Sequence, residues 1–140
     1  MEVIHDRTKE FHSKEEYLLD MLEYYTPDPT NRRAIFGTAC VYKPTQTSDG
    51  CAIGRRLPLE VVDKIPFMAT VKHIIPLAKK LNIPNWMVNL GTDFLYSVQR
   101  LHDFKDNWNS RSGLSYHGRN SLIAIIRDNN LDGKLFEKYF

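Results

Sequence analysis

Between Ser13 and Pro29 the sequence carries a start signal, an apolar stripe and a stop signal for one helix, and that helix constrains everything around it. Ser13-Lys14-Glu15-Glu16 fits a capping box, in which the Ser13 hydroxyl and the Glu16 carboxylate satisfy amide donors at a helix start. Leu18, Met21, Leu22 and Tyr25 then recur at three and four residues, which predicts a helix over 14–25 with one face to bury. Pro27 and Pro29 end it, because proline has no amide to donate into the ladder.

The remaining chain must cover that face. The run 38–42 has strand composition and 44–50 is dense in turn formers, so a second short strand is expected near Cys51. A register placing Cys40 opposite Cys51 would set both on one face of the ribbon. A short helix is predicted over 59–65 and a longer one over 67–81, interrupted at Pro76 and bounded by Pro84. Gly91-Thr92-Asp93 reads as loop and cap for a helix with Phe94, Leu95, Val98 and Leu101 inward and Arg100 outward. The polar stretch 107–119 reads as a surface loop and 121–128 as a helix ended by Asn129-Asn130. A last amphipathic piece carries Leu135, Phe136, Tyr139 and Phe140. With neither repeat nor linker, residues 1–140 are expected to form a single α+β domain, mainly α, with helices flanking one small antiparallel β-hairpin.

A chain of 140 residues that is 42% hydrophobic and 11% aromatic can bury one core without a metal or a disulfide. The formal charge of +2 is too small for the whole-molecule field to select a polyanion, so any basic site must be local. Two cysteines, Cys40 and Cys51, are too few for a disulfide framework; they are expected as reduced, partly buried neighbours, which points to a reducing compartment. The N-terminal residues mix charges of both signs and lack the apolar core of an export signal, and no apolar stretch is long enough to span a bilayer. A cytoplasmic protein without a membrane partner is expected.

Cys40-Val41-Tyr42, the block Asp49-Gly50-Cys51-Ala52-Ile53-Gly54-Arg55, and Phe94-Leu95 with Gln99, His102 and Asp103 form a recognisable set. It resembles a loose group of small uncharacterised proteins of bacteriophages and prophages. In that group a Cys-x-Tyr strand leads to a Cys-Ala-[Ile/Val]-Gly element, and a later helix carries Gln-x-x-His-Asp. The resemblance implies a viral or prophage accessory protein, active in the host cytoplasm, and transfers no activity. The Arg55-Arg56-Leu57-Pro58 run that follows Gly54 is not part of that pattern.

Gly54-Arg55-Arg56 at a strand end offers backbone amides and guanidinium forks to an anion, with His102, Asp103 and Tyr42 as further ligand-binding candidates. On a continuing strand Arg55 and Arg56 would point to opposite faces, so one of them would enter the pocket. Cys51 with His102 contains a thiol nucleophile and a base, although Asp103, about 100 degrees around the helix, is not expected to orient His102. Zinc on Cys40, Cys51 and one of His73, His102 or His117 lacks paired ligand spacing, and neither a P-loop nor a dinucleotide fingerprint is present. A nucleic-acid face would have to gather Arg32-Arg33, Arg55-Arg56, Lys79-Lys80, Arg111 and Arg119 beside Tyr42 or Trp108. The aromatic pairs Tyr24-Tyr25 and Tyr139-Phe140 need a docking surface, from this domain or from a second copy in a homo-oligomer. The leading expectation is a protein that acts by binding a host protein or a small anionic ligand such as a nucleotide, without turnover, cofactor or metal. A thiol-dependent enzyme using Cys51 and His102 and a nucleic-acid-binding protein are the alternatives.

Overall fold

The computed structural model describes residues 6–36, 39–66, 68–109 and 113–140, with the backbone alone at Phe36, Ala39 and Cys40. Expectations that fall on the first five residues, on Thr38, on Phe67 and on 110–112, Arg111 included, lie outside the described residues.

Helix α1 spans Lys14–Tyr25, and its start is built as the capping signal requires, with the Glu16 amide donating to Ser13 Oγ at 3.0 Å. Tyr17, Leu18, Met21, Leu22 and Tyr25 are all buried. The short α2, Pro29–Arg32, follows the proline stop, with Asp28 as its cap. β1 (Ile35–Phe36) and β2 (Ala39–Cys40) then pair antiparallel with Ile35 opposite Cys40.

The hairpin therefore lies earlier than expected, and no second strand forms at Cys51. The Cys51 amide makes a single bond to Val41 O at 2.8 Å, after which the chain rolls into a 3-10 turn at Gly54–Arg56. Every residue from Cys51 to Leu57 is buried. Burying a segment without a ladder leaves carbonyls that must find other donors. Tyr17 Oη donates to Ala52 O at 2.6 Å and Tyr25 Oη to Gly50 O at 2.5 Å. Arg7 donates to the carbonyls of Asp49, Gly54 and Leu57 at 2.7–2.8 Å. Side chains thus replace the missing strand partner.

Cys51 is fully buried and disulfide-bonded, while the expectation for the Cys40 side chain lies outside the described residues. This corrects the expectation of a reduced Cys51, and the compartment inferred from reduced thiols loses its support.

α3 (Leu59–Val62), α4 (Val71–Ile74) and α5 (Ala78–Leu81) are single turns, the last two separated by a 3-10 turn at Ile75–Leu77 where Pro76 interrupts the ladder. α6 is Asn85–Leu90 and α7 is Thr92–Asp103. In α7, Phe94, Leu95, Val98 and Leu101 are buried and Arg100 is exposed, as the periodicity predicts. The stretch expected as surface loop instead carries regular structure. A 3-10 turn at Lys105–Asn107 leads to a second antiparallel pair, β3 (Trp108–Asn109) with β4 (Gly113–Leu114). Ser115 then caps α8, Tyr116–Asp128, by accepting from the Gly118 amide at 3.0 Å. A 3-10 segment, Gly133–Tyr139, buries Phe136 against the core.

The result is a mainly helical α+β architecture with two small antiparallel strand pairs among the described residues. One apolar core joins α1, the 51–57 segment, α6, α7 and α8. Among the described residues no helix is long and apolar enough to cross a membrane.

Candidate functional site

The Gly-Arg corner is an internal joint. Arg55 Nη1 lies 2.5 Å from Asp20 Oδ2, while Arg56 reaches the same carboxylate through Nε at 2.9 Å and Nη2 at 2.5 Å. Both arginines are only 6–7% exposed. Arg55 lies over the Tyr24 ring at 4.2 Å and Arg56 over Phe11 at 5.1 Å. Burial pushes the Asp20 carboxyl up, but hydrogen bonds from Arg56 and Arg55 outweigh it and hold the group below its ordinary value. The expectation that one of the two arginines faces a ligand pocket is corrected. The 3-10 turn replaces strand alternation and sends both side chains to one carboxylate. Gly54 does serve a close approach, but to protein: a Cβ there would run into the Tyr42 carbonyl. Tyr42 is likewise engaged internally, donating to Ala69 O at 2.6 Å and accepting from Gln99 Nε2 at 2.9 Å.

His102 and Asp103 do meet, against the angular argument from their adjacent positions. His102 Nδ1 is 2.6 Å from Asp103 Oδ1, because the reach of ring and carboxylate closes the gap that the Cβ directions leave. His102 is fully buried, edge-on to Tyr25 at 4.8 Å, and its Nε2 has no hydrogen-bond partner among the described residues. Burial lowers the His102 pKa, more than the Asp103 contact raises it, so the imidazole is held neutral. With Cys51 in a disulfide there is no thiolate for His102 to activate, which removes the basis of the thiol-enzyme reading and of a zinc site using that sulfur. Among the described residues no group of three or more His, Cys, Asp or Glu is placed to hold a metal ion.

The C-terminus of α7 absorbs further polar groups. Arg33 donates to the carbonyls of His102 and Asp103 at 2.7 and 2.9 Å, and Trp108 Nε1 to Leu101 O at 2.9 Å. A cation there also complements the helix dipole. Arg33, Arg55 and Arg56 are thereby used inside the fold, so they do not contribute to the nucleic-acid face considered from the sequence.

A ligand-sized site lies elsewhere, in a groove of about 630 Å³ between α7 and α8. One wall is the outer face of α7. Tyr96, Arg100 and Phe104 stand one turn apart, with the Arg100 guanidinium 4.5 Å from the Phe104 ring and 5.6 Å from Tyr96, and Lys72 of α4 4.2 Å from the Tyr96 ring. Cation–π contact holds Arg100 in place while it stays exposed. The opposite wall is α8, with His117 and Ser121, and Asn107 lies between the walls. His117 Nδ1 is 2.7 Å from Asn107 Oδ1, and Ser121 Oγ donates to the same oxygen at 3.2 Å. Asp93 and Asp128 line the groove as well. It thus offers an aromatic surface, a fixed cation, an imidazole and carboxylates, the polar complement of an amphipathic ligand.

From sequence His117 stands only as a possible zinc ligand and Arg100 only as a solvent-facing position, and none of these residues is assigned to a ligand groove. The spacing of Tyr96, Arg100 and Phe104 at four residues on the polar side of a predicted helix was the available signal. Asn107 and His117 sit in the stretch expected as loop, where Ser115 and Gly118 marked a helix start. No family model, curated protein or solved structure matches the chain.

Proposed function

We propose that the protein acts by binding a small anionic ligand carrying an aromatic ring, nucleotides being the natural class, in the α7–α8 groove and without turnover. The observation that carries this reading is Arg100, an exposed guanidinium positioned between two aromatic rings at the edge of a ligand-sized groove. A planar ring can lie on Phe104, which is 40% exposed, while the anion pairs with the guanidinium. The phage-type resemblance supports a viral accessory setting, in which a bound ligand would regulate or be sequestered. The reading holds in a host cytoplasm and in an oxidising compartment alike.

Thermal unfolding with a panel of nucleotides and aryl phosphates tests it. A ligand at about a hundred times its Kd adds about 2.7 kcal/mol of stability, enough for a clear rise in Tm. The rise should disappear in Arg100→Ala and shrink in Phe104→Ala. Equal shifts in wild type and both variants would place binding somewhere else.

A further inference from the structure

Asn107 is buried, and chemistry alone orients its amide. Nδ2 lies 3.1 Å from Leu101 O and 3.4 Å from Arg100 O. Carbonyls only accept, so this atom must be the one that carries hydrogens. Oδ1 therefore faces His117 Nδ1, and because an amide oxygen only accepts, Nδ1 carries a proton. In the neutral ring the lone pair is then on Nε2. Gly118 holds the arrangement together, since a Cβ there would collide with the Asn107 carbonyl and push the first turn of α8 away.

His117 is exposed and lines the groove on the wall opposite Arg100, and no described residue hydrogen-bonds its Nε2. The groove thus carries a cation, Arg100, on one wall and an acceptor for an oxyanion's proton, His117 Nε2, on the other. Two acceptors repel unless one proton lies between them. We propose that Arg100 and His117 form a proton-linked oxyanion site for phosphate monoesters, which takes up one proton when the dianion binds. The proposal rests on the reading of the groove as a ligand site. In the binding step a dianionic monoester, the Nε2 lone pair of His117 and one proton from solvent give a complex with that proton between Nε2 and a phosphoryl oxygen. No bond in the ester forms or breaks. Asn107 Oδ1 accepts from Nδ1 in both states, so the proton is gained without losing the orienting bond. The other charged or titratable groups facing the groove are Asp93 and Tyr96 on α7 and Asp128 on α8.

Isothermal titration calorimetry with phenyl phosphate decides the matter, run at about pH 8, where a monoester is mostly dianionic, in buffers of different ionisation enthalpy. The expected result is uptake of close to one proton and an affinity that falls about tenfold per pH unit above that point. His117→Gln keeps a donor at this position, so it should bind phenyl phosphate with no proton uptake and a flat pH profile. Arg100→Ala should lose binding altogether. Binding that depends on Arg100 but shows no proton uptake, or the same uptake in His117→Gln, would overturn the proton-linked site and leave the groove reading standing. Absence of binding to the wild type, or binding indifferent to both substitutions, would overturn both. Both side chains are exposed, and circular dichroism of each variant separates loss of binding from loss of fold.

Discussion

At the scale of single residues the decisive one is Asp20, a carboxylate that holds two buried guanidiniums. Desolvating three charges is unfavourable, and the cluster is tolerable because each charge has a partner and the arginines also stack on rings. Breaking such a cluster from one side typically costs about 3–5 kcal/mol, because it leaves an uncompensated buried charge. Asp20→Asn should therefore lower the unfolding free energy obtained from urea titration by that much, and a change below about 1 kcal/mol would mean that the arginines find water instead. The pH dependence follows from the lowered Asp20 pKa. Its contribution is complete above the unfolded value of 3.8 and is lost as pH falls through the depressed folded value, so the wild type loses this stability in acid and Asp20→Asn does not.

Among the elements α8 depends most on a single position. Alanine is a better helix former than glycine by about 1 kcal/mol, so propensity alone makes Gly118→Ala stabilising. The Asn107 carbonyl, which is backbone and cannot swing aside, opposes it. Gly118→Ala should destabilise by about 1–3 kcal/mol, the usual range for overpacking, and a raised Tm would show that α8 does not need this approach. The same contrast explains what was legible beforehand. α1 and α7 were readable because a 3.6-residue period leaves a repeated mark, as did the Pro76 break, which removes a donor whatever surrounds it. The 51–57 segment was misread because its partners, Arg7, Tyr17, Asp20 and Tyr25, lie tens of residues away and leave no local sign. Glycine and arginine side by side fit an anion site as well as a buried joint, and the distinction rested on Asp20. The groove was illegible for a related reason: it belongs to two helices, one of which begins in a stretch with turn-like composition.

For the whole molecule, His102 links stability to pH. Its imidazole is buried and held neutral, with a folded pKa below the unfolded value of 6.5. Above that value neither state is protonated and stability is complete. Below it the unfolded chain takes up a proton that the folded chain resists, so stability declines as pH falls from about 6.5 towards the folded value. Denaturant melts between about pH 8 and pH 5 should show this slope, and His102→Gln should flatten it; an unchanged slope in the variant would assign the effect to other groups. The side chains that sustain the buried segment have a further consequence, in time. Arg7 and Leu57 are 50 positions apart and Tyr17 and Ala52 are 35 apart, so these bonds require long loops to close before any of them forms. A chain this rich in helix should accordingly fold more slowly than a simple bundle, at a pace set by its non-local contacts. During synthesis α1 emerges ahead of the segments that cover it, and its apolar stripe stays partly uncovered until α7 and Trp108 have been made.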